Sequence, residues 1–140
     1  VFSVPTRTQY GIRALVHLAR AGELADRDAT TLSTSAEIAR AESISPKYLE
    51  GILTQLKAKG IVLAERGKGG GYRLARGAAE IRMIDIVEAL EGEVRPVDCV
   101  ENSQSCVQGD ACMPRRFWIG LKDAIDGYLS SKTLKDVIEI

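Results

Sequence analysis

One stretch narrows the possible folds more than any other: residues 44–74, ISPKYLEGILTQLKAKGIVLAERGKGGGYRL. Ser45 suits a helix N-cap and Pro46 the first helical position, where a missing N–H costs nothing. Leu49, Ile52, Leu53 and Leu56 follow at i, i+3, i+4 and i+7, which draws one apolar stripe along a helix. Lys57 and Lys59 favour its last turn, and Gly60 can take a left-handed cap. A short apolar strand over 61–64, a turn over 65–71 and a return strand over 72–74 are predicted next. A helix delivered straight into a basic, glycine-tipped hairpin is the layout of a winged helix-turn-helix. The face away from the stripe is expected to carry Ser45, Lys47, Tyr48 and Gln55, side chains that can donate to phosphates and base edges.

Upstream, Ile12, Leu15, Val16 and Ala19 predict a first helix over 6–21. His17, the sole histidine, lies inside it and reads as a partly buried structural residue, since no Cys or His neighbours it in sequence. Residues 22–31 read as a loop, and Thr34-Ser35-Ala36-Glu37 is a capping box that opens a short second helix. Two helices separated by a tight turn at 42–44, the second polar on one face, complete the helix-turn-helix pattern. After the hairpin, Met83, Ile86, Val87 and Leu90 predict a further amphipathic helix ending at Gly92. Pro114 starts a long one on which Trp118, Leu121, Ile125, Tyr128 and Leu129, with Phe117 alongside, share a side. So much aromatic surface on one helix of a chain this short predicts a dimer contact. Thr133 to Asp136 caps a last short helix.

Net charge is zero over the 140 residues, but its distribution is not even. From Lys47 to Arg82 there are eight Lys or Arg against three acids, and from Asp85 to Cys112 seven acids against Arg95 alone. A basic module followed by an acidic one fits a nucleic-acid reader with an attached control element. No apolar run approaches the ~20 residues that span a bilayer, so a cytoplasmic protein without a membrane partner is expected.

Residues 93–113 lack periodicity and hold all three cysteines, as Cys99-x6-Cys106-x5-Cys112. A structureless stretch of this length inside a small protein is usually functional. An odd thiol count argues against a disulfide framework. Structural zinc takes closely paired ligands, commonly with His, whereas iron–sulfur clusters take thiolates from wider loops. A cluster therefore fits the spacing better than zinc or free redox thiols, both of which stay open. A cysteine nucleophile would need a base beside it, and the lone His17 is remote in sequence, so an enzyme is not expected.

TRTQYGIRALVHLA, ISPKYLEGILTQLKAKGIV, RGKGGGYRLAR, IDIVEALEG and the three-cysteine loop, in this order, resemble the Rrf2 family of bacterial regulators, which includes iron–sulfur proteins of the IscR, NsrR and RirA types. The resemblance covers nearly the whole chain. It implies a mainly α fold with a small β-hairpin wing, a homodimer on double-stranded palindromic promoter DNA, and a cluster (2Fe–2S favoured, 4Fe–4S the alternative) on Cys99, Cys106 and Cys112. The implied organisation is a DNA-binding domain over 1–82, a linker helix with the cysteine loop over 83–113, and a dimerisation helix with tail over 114–140. Where IscR-like members place a ligating histidine this chain has Arg115, and where NsrR-like members use an acid it has Gln9, a weak candidate for fourth ligand. Asp98, Glu101 and Asp110 stand nearby in sequence. Expected DNA contacts are Ser45, Lys47, Tyr48 and Gln55 in the major groove, and Arg66, Lys68, Gly69, Gly70, Gly71 and Tyr72 of the wing along the backbone or minor groove. Glu50, the only acid on the reading helix, is a candidate selectivity residue by the same resemblance.

Overall fold

The computed structural model describes residues 3–24, 32–97 and 113–139. Its first helix, α1 (Thr6–Leu24), runs three residues past the expected end because Gly22 falls at an exposed terminus where it interrupts no packing. Thr34 caps α2 (Ser35–Glu42) through a reciprocal pair: its hydroxyl accepts from the Glu37 N–H, and the Glu37 carboxylate accepts from the Thr34 N–H. Ser43 then turns the chain with a left-handed φ of 55°. Ser45 and Pro46 open α3 (Pro46–Ala58), with the Ser45 hydroxyl accepting from the Tyr48 N–H. Leu49, Ile52, Leu53 and Leu56 are fully buried, each contributing about 1.5–3 kcal/mol relative to exposure.

At the end of α3 the Gly60 N–H donates to the Lys57 carbonyl and the Ile61 N–H to the Leu56 carbonyl, with Gly60 at φ +74°. Both bonds belong to a Schellman cap, so Ile61 serves the helix, and the first strand starts one residue later than expected. The hairpin is antiparallel, β1 (Val62–Glu65) against β2 (Gly71–Leu74), in the register Val62↔Leu74 to Glu65↔Gly71. The sequence pattern gave no sign of a third rung. Ser33 donates to the Tyr72 carbonyl at 2.9 Å and accepts from the Tyr72 N–H at 2.7 Å. The segment before α2 is thereby tied to the return strand of the wing, one pair in from its turn.

After a 3-10 turn (Ala78–Glu80), α4 (Met83–Glu91) crosses α1 closely. Gly11 is the contact point: a Cβ there would lie 2.5 Å from Leu90 Cδ1. The Thr8 hydroxyl, buried, donates to the Glu91 carboxylate on the same side. α5 (Met113–Ser131) packs on α4 alone among its larger contacts, and none of its described side chains is buried. α6 (Leu134–Glu139) returns to the core. The Met83 N–H donates to the Lys132 carbonyl and the Leu134 N–H to the Ile81 carbonyl, both at 2.9 Å, and the Leu134 side chain is wholly enclosed. The C-terminal segment thus divides into a helix that stands off the body and one that is fastened to it.

Candidate nucleic-acid interface

The helical repeat and the fixed apolar stripe determine what α3 can offer. With its core side against α1, α2 and α4, the exposed positions between the helix's two terminal residues are Lys47, Tyr48, Glu50, Gly51, Thr54 and Lys57. They fall into two rows. Lys47, Glu50, Thr54 and Lys57 face outward, and Thr54 donates to the Glu50 carbonyl at 2.8 Å. Tyr48, Gly51 and Gln55 form a flank that leans on α1. There the Tyr48 ring meets Tyr10 edge-on at 5.8 Å, and Arg7 donates from Nε to Gln55 Oε1 at 2.5 Å and from Nη2 toward the Gly51 carbonyl at 3.5 Å.

The residues expected on one surface are therefore divided. Lys47 and Glu50 are outermost, Tyr48 and the half-buried Gln55 sit at the α1 seam, and Ser45 is exposed but used as a cap. Thr54 was missed by sequence reasoning, although the repeat that buries Leu49, Ile52, Leu53 and Leu56 also places it on the outward row. Arg7 was missed because its role depends on an α1–α3 contact that no local pattern encodes.

Hairpin geometry sets the wing tip. Arg66, Gly67, Lys68 and Gly69 are exposed, and the Gly70 N–H closes the turn onto the Gly67 carbonyl at 3.0 Å. The three consecutive glycines do different things. A Cβ on Gly70 would lie 2.3 Å from the Glu65 carbonyl oxygen, and one on Gly71 would lie 2.7 Å from the Ser33 carbonyl oxygen. Those two positions are glycine because neighbouring backbone leaves no room, the wing's own turn at Gly70 and the Ser33 segment at Gly71. Gly69, at φ +80° with open space around it, alone has an unencumbered approach to a ligand. Tyr72 is half-buried and packs against the core, held by its two bonds to Ser33.

The expected metal ligands Cys99, Cys106 and Cys112, with Asp98, Glu101 and Asp110, lie outside the described residues. The chain positions them all between the end of α4 at Glu91 and the start of α5 at Met113. Gln9 is exposed on α1 and donates its amide to the Val4 carbonyl at 2.7 Å. His17 is half-buried, 3.8 Å from the Glu42 carboxylate. Among the described residues, no group of three or more His, Cys, Asp or Glu is arranged to hold a metal ion, and no helix is long and apolar enough to cross a membrane.

A polar-faced helix seated after a tight turn, followed by a cationic two-stranded tip, defines the winged helix-turn-helix class. Comparison with known proteins takes this further. Residues 4–140 match the family Rrf2, described as an iron-dependent transcriptional regulator. The chain belongs to the Rrf2 family of transcription regulators. It is 35% identical over 136 residues to the HTH-type transcriptional regulator IscR of Cereibacter sphaeroides, covering 96% of this chain and 85% of that one. With IscR of Photorhabdus laumondii it is 35% identical over 103 residues, and the match spans 62% of that relative's length. Among solved structures it is similar to CymR, the global cysteine regulator of B. subtilis, at TM-score 0.78 and 29% identity over 98% of this chain and 96% of CymR. It is similar also to T. potens IscR, at TM-score 0.75 and 29% identity over 99% of this chain and 87% of that one.

Proposed function

We propose that two copies of this chain bind palindromic promoter DNA and that an iron–sulfur cluster on Cys99, Cys106 and Cys112 sets their binding state. The observation that carries the DNA reading is the outward row of α3 together with the wing tip: Lys47, Thr54, Lys57, Arg66 and Lys68 are all exposed on one regulator module. Lysine and arginine there neutralise phosphates, while Lys47, Thr54 and Glu50, with Gln55 on the α1 flank, are the candidates for base edges. Gln9 is the candidate for a fourth cluster ligand, and Glu50 for selectivity.

The dimer reading is supported by α5, a 19-residue helix with no buried side chain among those described, on which Met113, Phe117 and Tyr128 are 77, 68 and 63% exposed. Pairing two such faces would cover this surface, and a palindrome demands that the pair hold its two α3 helices about one DNA turn (~34 Å) apart.

The cluster reading is supported by the donor set, three thiols in one inter-helix connection, and by the iron dependence in the family's description. A bound cluster would supply a centre that redox change, nitric oxide or iron scarcity can alter or remove. What this chain's own residues supply is a route from that connection to the DNA-reading helix. The loop leaves α4 just past Glu91, and Glu91 and Leu90 press on α1 at Thr8 and Gly11. α1 in turn grips α3 through Arg7 and Tyr10. Ligation that holds the loop therefore biases the placement of α3.

The likeness to CymR is equally compatible with a second reading, a cluster-free regulator controlled by thiol oxidation, zinc or a protein partner. Absorption spectra and metal analysis after anaerobic purification separate the two. A brown protein with charge-transfer bands, iron and sulfide supports the first, and a colourless protein with zinc or no metal supports the second. If a Cys106→Ala variant regulates DNA binding as wild type does, the loop is not the control element.

A further inference from the structure

We propose that Arg7 is a positioning residue for sequence readout. It holds the Gln55 amide oxygen against α1, so that Gln55 offers only its Nε2 donor to the major groove and favours guanine at the base it faces. The proposal rests on the DNA-binding reading above and adds a residue of α1 to it.

A guanidinium only donates hydrogen bonds. Whichever way an amide is drawn, the atom of Gln55 that faces Arg7 Nε at 2.5 Å must therefore be its oxygen. A second strand of the same grip reaches the carbonyl of Gly51, one turn earlier on α3, at 3.5 Å. Two anchors on successive turns fix the guanidinium in the seam. One turn further toward the N-terminus, Tyr10 and Tyr48 pack edge-on across the same seam. Gly51, between Tyr48 and Gln55 in this row, has no side chain to screen the amide.

A free glutamine can present donor and acceptor together, which matches the adenine edge with its N6 donor and N7 acceptor. With the oxygen engaged, the remaining NH2 matches an edge made of acceptors alone, and guanine N7 and O6 form such an edge. The lock thus converts a two-way side chain into a one-way reader. A structural role for the Arg7–Gln55 bond would leave base preference untouched, and a direct phosphate contact by Arg7 would weaken all sequences alike.

The test is selection from a random double-stranded DNA library by the full chain, with wild type, Gln55→Glu and Arg7→Ala in parallel. In Gln55→Glu the carboxylate keeps the grip of Arg7 but loses the donor. At one position of each half-site, guanine is expected to give way to cytosine, whose N4 donates to a carboxylate, by about tenfold. In Arg7→Ala the guanine preference at that same position falls at least about fivefold, and the other positions keep theirs. Unchanged preference in both variants, adenine at that position in wild type, or uniform weakening in Arg7→Ala would each overturn the proposal. Gln55→Glu carries the test if Arg7→Ala does not fold. A wild-type protein that enriches no sequence at all overturns the DNA-binding reading itself, with Arg7 falling only as a consequence.

Discussion

Gly71→Ala tests the idea that the glycines of the wing are dictated from within. The new methyl would meet the Ser33 carbonyl oxygen at 2.7 Å, its carbon at 2.8 Å and the Thr34 nitrogen at 3.1 Å, all backbone atoms with no rotamer to yield. The backbone at 71 also sits at φ +154°, which costs a residue with a Cβ about 1–3 kcal/mol. To relieve the clash the Ser33 segment must move off, breaking its two bonds to Tyr72, at about 0.5–1.5 kcal/mol each. The expected loss is about 2–6 kcal/mol of folding stability. Gly69→Ala is the matched control: it adds the same methyl at φ +80° into open space, for about 1–2 kcal/mol of left-handed strain. Equilibrium urea unfolding followed by circular dichroism compares the two, and hydrogen exchange at the Tyr72 amide reports the bridge directly. If Gly71→Ala loses no more stability than Gly69→Ala, or the Tyr72 amide stays protected, the steric reasoning fails.

Arg66→Ala, at the exposed wing tip, is expected to weaken DNA binding by at least ~1 kcal/mol and to lower the salt slope by about one, measured by anisotropy titration at several salt concentrations. Phe117→Asp puts a charge in the middle of the exposed α5 face, and sedimentation velocity should show monomer where wild type shows dimer. Asp136 is held below the usual carboxylate range, first by the Thr133 backbone N–H and then by the Thr133 hydroxyl; burial opposes them, and Lys132 and Lys135 add smaller pulls downward. A depressed folded pKa contributes stability above the ordinary value of 3.8 that is lost as pH falls through the folded one. Asp136→Asn should therefore be less stable than wild type at neutral pH, with the gap in unfolding midpoint closing as acid protonates Asp136. A gap that persists unchanged into acid would contradict this.

Much of the architecture was legible because local rules agreed with tertiary packing. Thr34 with Glu37, Ser45 with Pro46, and the Leu49-Ile52-Leu53-Leu56 stripe each encode a helix start or a buried face without help from distant residues. What escaped was non-local. A single bridging residue such as Ser33 leaves no alternating pattern, and its partner lies on the return strand of the hairpin, beyond α2 and α3. Sequence reasoning grouped Tyr48 and Gln55 with Lys47 as one face, since all avoid the apolar stripe. Only the position of α1 shows that two of them border a seam. The glycine run illustrates the same limit, because composition signals close approach without saying what approaches. The wing's own turn does so at Gly70 and the Ser33 segment at Gly71.

The pairing of Ile81, Arg82 and Met83 with residues 132–134 closes a circuit. Between these points α4 stays packed on the body, and because the chain beyond α4 has to come back to the same spot, the module that grips DNA tolerates changes in how long that stretch is. Closing a longer loop costs little, about 0.6 kcal/mol per doubling. A detector inserted in such a detour can be lengthened, shortened or exchanged for another chemistry while the reading head keeps its shape. One scaffold can in this way acquire new signals without relearning its operator.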